Sequence, residues 1–172
     1  MQKKNTYILD VDEISSSEKE YKINAKPDLL KQTAEILKVP DVKEFIASIY
    51  VRRKNKSPLI DVWGRVDAVI TRQSVISLEF FDKNYEAEFI LQYDTTLTDA
   101  MVRELEDEGE VNIPDVIYNH QIDLKQIAIE QIALELEDHP RQEGEVFKFT
   151  SEFSDDDIKA ENPFKILEKL KK

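Results

Sequence analysis

The chain has 172 residues, 41% apolar and 35% charged, which suffices for one domain with a real core beneath a wet, highly charged surface. It holds no cysteine, which excludes disulfides, thiolate zinc sites and thiol catalysis. The formal net charge of −12 argues against a general nucleic-acid coat and against DNA as a partner, and for solubility and basic partners.

Taken in chain order, "YILDVDEI" (7–14) and "EYKINA" (20–25) alternate apolar and polar residues and predict two short strands joined by a Ser-rich turn at 15–17. In "KPDLLKQTAEILKVP", Pro27 suits a first helical position. Leu29, Leu30, Thr33, Ile36 and Leu37 then fall on one helical stripe, and Pro40 closes the segment. Residues 44–54 return to strand composition, and "RRKNKSP" reads as a turn. The run 59–71 is the clearest strand, with Ile60, Val62, Gly64, Val66, Ala68 and Ile70 on one face. Asp61, Trp63, Arg65, Asp67 and Thr71 share the other face. Gly64 inside a strand marks a bulge or a close backbone approach. "NYEAEFILQY" turns Tyr85, Ala87, Phe89, Leu91 and Tyr93 inward and completes a meander with one buried face.

Residues 99–105 fit a short helix, and "EDEGEVNIPDV" reads as a loop. The stretch 122–136 predicts a helix capped by Asp123, with Gln126 three residues on. Its many apolar positions predict burial on more than one side. Residues 139–161 are polar and irregular, and "NPFKILEKLKK" reads as a short helix with Asn162 as cap and Pro163 at its first position. The expected fold is therefore α+β: an antiparallel meander, open or barrel-like, packed with two or three helices. Residues 1–138 would form one domain, with 139–172 as an irregular segment and a short terminal helix docked on it or tethered to it. No long apolar run and no signal-like start are present, so the expected location is the cytoplasm and no membrane is involved.

Nothing in the sequence outlines a catalytic centre. His120 and His139 lack a second ligand at helical or turn spacing and read as surface residues. Three scattered glycines make no phosphate loop, and there is no nucleophile elbow. "ELEDEGE" (104–110) lacks the spacing of a calcium loop and reads as a solvated acidic loop. The expectation is no enzyme, no cofactor and no metal. Charge, by contrast, is unevenly spread. Residues 104–138 hold eleven acids and one lysine, a net of −10, while 48–72 hold six bases and two acids, a net of +4. Four of the six bases lie in the turn, where a solubilising tip explains them. The sharper reading makes Arg52, Arg53, Lys54, Lys56, Arg65 and Arg72, with Arg141, a contact for RNA phosphate or for an acidic partner.

Three segments also resemble a known family. "VWGRVDAVITRQSVISLE" is similar to the core motif of the YceD family, the large ribosomal RNA subunit accumulation proteins, where a V-x-G-x-V-x-A-x-V strand runs into Cys-x-x-Cys-Leu-Glu. "IDLKQIAIEQIALELEDHPRQEGEVF" resembles the family's Ile-Asp-Leu helix, and "NPFKILEKLKK" the Asn-Pro-Phe helix of its cysteine-poor branch. Ser74 and Ser77 stand where many members carry the two cysteines, so no zinc or redox role carries over, and the serines are expected to brace a bend through hydroxyl–backbone bonds. The resemblance implies a ribosome assembly factor needed for accumulation or processing of large-subunit ribosomal RNA, acting by binding. Its partners would be a ribosomal RNA precursor, a basic ribosomal protein, or both. The alternative is an acidic adaptor that holds a basic ribosomal protein through the faces around "ELEDEGE" and "DHPRQEGE", without touching RNA. A metal-dependent nuclease using Glu106, Asp107 and Glu108 ranks last.

Overall fold

A computed structural model describes residues 7–55 and 57–146; Lys56, the irregular stretch from 147 and the expected helix at 162–172 lie outside the described residues. The chain divides into two units, Met1–Gln142 and Glu143–Lys172, and every element below belongs to the first.

The elements are β1 (Ile8–Asp10), a 3-10 turn (Val11–Glu13), β2 (Lys19–Asn24), α1 (Pro27–Leu37), β3 (Asp41–Arg53), β4 (Leu59–Gln73), β5 (Phe80–Asp94), α2 (Asp99–Asp107), β6 (Asp115–Val116), β7 (Gln121–Asp123) and α3 (Leu124–Leu134). Five strands form one sheet in the order β2-β3-β4-β5-β6, antiparallel except for the β5–β6 pair. The sheet does not close into a barrel, so the fold is α+β with an open sheet. Strands β1 and β7 make a separate two-stranded ladder.

The core lies between one sheet face and the helices. Ile60, Val62, Val66, Ala68 and Ile70 of β4 are all buried, as are Tyr85, Ala87 and Phe89 of β5 and Phe45, Ala47, Ile49 and Val51 of β3. The register shifts between Val42 and Glu44 of β3, which turns Lys43 and Glu44 both to solvent and keeps Val42 and Phe45 both inside. Helix α3 buries Leu124, Ile127, Ala128, Ile129 and Ile132, consistent with a helix covered on several sides. Each large aliphatic chain so buried contributes roughly 1.5–3 kcal/mol. The Asp123 carboxylate caps α3 by accepting from the Lys125 and Gln126 amides at 3.0 and 3.1 Å.

Several expectations shift in detail. The runs 7–14 and 20–25 are not partners: the Asp10 carboxylate accepts from the Asp12 amide and starts the 3-10 turn, so the chain leaves β1 early and β1 pairs with β7. In α1, Pro27 does open the helix and Thr33 is fully buried, its hydroxyl donating to the Leu29 carbonyl. Ile36, however, is 49% exposed, and Ala34 takes its place inside. Gly64 marks a close approach, not a bulge: a β-carbon there would stand 2.3 Å from the Ser48 carbonyl oxygen. Among the described residues, no helix is long and apolar enough to cross a membrane.

Candidate functional site

The break after β4 is a braced hairpin turn. Ser74 is 1% exposed, and its hydroxyl oxygen accepts from the Ile76 and Ser77 amides at 3.1 and 3.3 Å. The Ser77 hydroxyl accepts from the Glu79 amide, and the Val75 amide donates to the Pro140 carbonyl at 2.9 Å. Leu78 sits in the left-handed region at φ 62, where a side chain is strained, and it is 67% exposed. The two serine hydroxyls thus give the turn amides acceptors that a ladder would otherwise supply.

The sequence-predicted bases are scattered. Arg52 lies 3.3 Å and Lys54 3.4 Å from the Asp61 carboxylate at the β3–β4 end. Burial pushes the Asp61 carboxyl up, but Gln92, Arg52 and Lys54 outweigh it and hold its pKa below the usual value. Arg53 donates to the Val11 carbonyl at 3.4 Å. Arg65, in mid-sheet, faces Asp67 at 2.8 Å, Glu86 at 2.9 Å and Glu88 at 3.7 Å. Arg72 is buried on the inner face, donating to the Glu137 carbonyl at 2.7 Å and the Tyr85 hydroxyl at 3.3 Å. Arg141 is exposed in the loop beyond Pro140. Lys56 lies outside the described residues; of the others, Arg52, Arg53, Lys54, Arg65 and Arg72 each face a protein oxygen.

Between the bases lies an aromatic pair that sequence reading did not single out. Tyr50 and Trp63 stack with centroids 5.7 Å apart, and the Arg52 guanidinium stands 5.5 Å over the indole. The register places Tyr50, Trp63 and Ile90 side by side across β3, β4 and β5, and Ile90 is 85% exposed.

A cleft of about 580 Å³ is framed by the end of β5, α2, β6, β7 and α3. Its floor is apolar, with Leu91, Val102, Ile113, Ile117, Ile122 and Ile127. Its walls carry five carboxylates, Asp99, Glu106, Asp115, Asp123 and Glu130, and the lining includes no lysine or arginine. Asp123 is engaged as the α3 cap, and Asp99 accepts from the Tyr118 hydroxyl at 2.6 Å, tying the loop before β7 to α2. Asp115 is pushed above the usual carboxylate value, first by desolvation and second by Glu130 beside it. Tyr93 in the same wall is raised by burial, then by Asp115 and Glu130. Both shifts thus come first from desolvation and then from neighbouring acids.

Of the two acidic stretches expected to carry an interaction, "ELEDEGE" contributes Glu106 to this cleft, and "DHPRQEGE" contributes nothing to it. Asp99, Asp115 and Tyr93 were not expected, because only the fold brings them to Glu130. Among the described residues, no three His, Asp or Glu side chains group as metal ligands. Glu106, Asp107 and Glu108 are exposed at the end of α2. No family model, no curated protein and no solved structure matches the chain.

Proposed function

We propose that this protein acts by binding, as an assembly factor of the large ribosomal subunit that holds a basic segment of a ribosomal protein in the cleft beside α3. The cleft carries the reading: it offers carboxylates above an apolar floor and no base of its own. A lysine or arginine entering there relieves the crowding at Asp115 and Glu130 while its aliphatic stem covers the floor. The resemblance of the β4 motif, the α3 segment and the C-terminal segment to the YceD family supports the process, and the −12 charge supports a basic partner over RNA. A second reading, direct contact with ribosomal RNA, draws on the Tyr50–Trp63 stack under Arg52, since unpaired bases stack on such rings.

A pull-down from large-subunit precursors, with and without ribonuclease, tests both. Basic ribosomal proteins are expected to stay bound after RNA digestion, and to be lost from a chain carrying Asp115→Asn and Glu130→Gln. Loss of all cargo on digestion overturns the adaptor reading in favour of RNA contact.

A further inference from the structure

We propose that the open edge of β5 accepts an extended protein segment, with basic and apolar residues in alternation, as an added strand. The proposal rests on the basic-partner reading above and specifies how that partner docks. Strand β5 is paired with β4 over its whole length, from Phe80 to Asp94. On its other side it pairs with β6 only at Tyr93 and Asp94. From Phe80 to Gln92 no backbone hydrogen bond among the described residues engages that side. In an antiparallel strand every second residue directs both its N–H and its C=O away from its neighbour, so this edge is a template for another strand.

Local chemistry explains why β6 does not occupy it. Because β6 runs parallel to β5, its backward extension would follow β5 toward Phe80. The residue at that point is Pro114, which has no N–H to donate, and the ladder stops there.

The side chains of β5 select the occupant. Its solvent-facing residues include Asp82, Glu86 and Glu88, the last two sharing the one Arg65 guanidinium with Asp67 so that acids outnumber the base there, while Tyr85, Ala87 and Phe89 face the core. A second copy paired antiparallel about Ala87 would set Glu86 against Glu88 twice, a like-charge opposition that disfavours self-pairing. A segment with lysine or arginine on the solvent side and apolar residues on the inner side meets the acids and the core edge together. The cleft-lining Leu91 and Tyr93 belong to the same strand, so the added strand ends where the acidic cleft begins.

The test uses the full chain and a short synthetic peptide alternating lysine with valine. A peptide of the same composition with its lysines in one block, and the alternating peptide N-methylated at every second amide, serve as controls. Binding of the alternating peptide is expected, with new protection from hydrogen exchange of those 80–92 amides that point away from β4. N-methylation is expected to weaken binding by about tenfold or more through lost main-chain bonds. Equal binding of all three peptides without protection of these amides overturns the edge proposal and leaves the cleft reading intact. Absence of any basic-peptide binding overturns both. Protection, in the free chain or in a dimer seen by sedimentation, of those 80–92 amides that point away from β4 overturns the proposal by showing the edge already filled.

Discussion

The Ser74 hydroxyl does at one position what a further turn of ladder would otherwise do. It gives the Ile76 and Ser77 amides an acceptor in a bend that is closed to solvent at that point. Ser74→Ala leaves those donors without it, and a loss of about 1–3 kcal/mol in urea unfolding is expected. Ser77→Ala, at an exposed position, loses less. A second residue-scale device is Glu137, just past α3. It accepts from Lys83 and from the Tyr85 hydroxyl, at 2.7 Å in the latter case, and its carbonyl takes the Arg72 guanidinium. Burial pushes this carboxyl up, yet the Lys83 and Tyr85 bonds prevail and hold it at about 2, against 4.5 when unperturbed. Its folded value is depressed, so its stabilising contribution is complete above 4.5 and is lost as pH falls from there toward 2. Thermal melts across that window are expected to fall more steeply for the native chain than for Glu137→Gln.

At the scale of elements, long alternation was legible and short pairing was not. β4 and β5 declare themselves because every second residue is apolar, and the helix after Asp123 because its cap and its apolar density agree. The two- and three-residue strands β1, β6 and β7 have too few side chains to form a pattern, and their pairing is decided by distant backbone. The extension of β5 back to Phe80 escaped for a related reason: "FFDK" has no alternation, and only its register with residues 70–73 makes it strand. The cleft was half legible. The run of acids from 104 to 138 announced its charge, but the apolar floor comes from β5, α2, β7 and α3 at once. Helix α2 is the least self-sufficient element. It buries no residue, and it ends on Glu104, Glu106 and Asp107 with no base in its last turn, so its dipole is opposed. Asp107→Lys is expected to raise stability by about 0.3–1 kcal/mol, measured by chemical denaturation. A lysine-rich partner should strengthen the helix in the same way.

At the scale of the whole molecule, charge sets opposing demands. A chain of −12 repels itself when compact, and among the described residues the cleft lining along α2, β6 and α3 carries five carboxylates and no lysine or arginine. The bases of the sheet face, in contrast, are spent on Asp61, Asp67, Glu86 and Glu88. Added salt is therefore expected to raise the melting temperature of the free chain while weakening its hold on a basic partner, because it screens the repulsion and the attraction alike. A titration of both quantities against potassium chloride checks this; parallel movement of the two would contradict it.

The chain's single tryptophan is Trp63, stacked on Tyr50 and covered by Arg52, on the solvent side of the sheet and outside the cleft lining. That accident of placement furnishes an intrinsic optical probe of one surface only. A nucleobase sliding against the indole should quench its emission, whereas a peptide seated beside α3 should leave the spectrum almost untouched. One cuvette can thus tell the two kinds of cargo apart without any label.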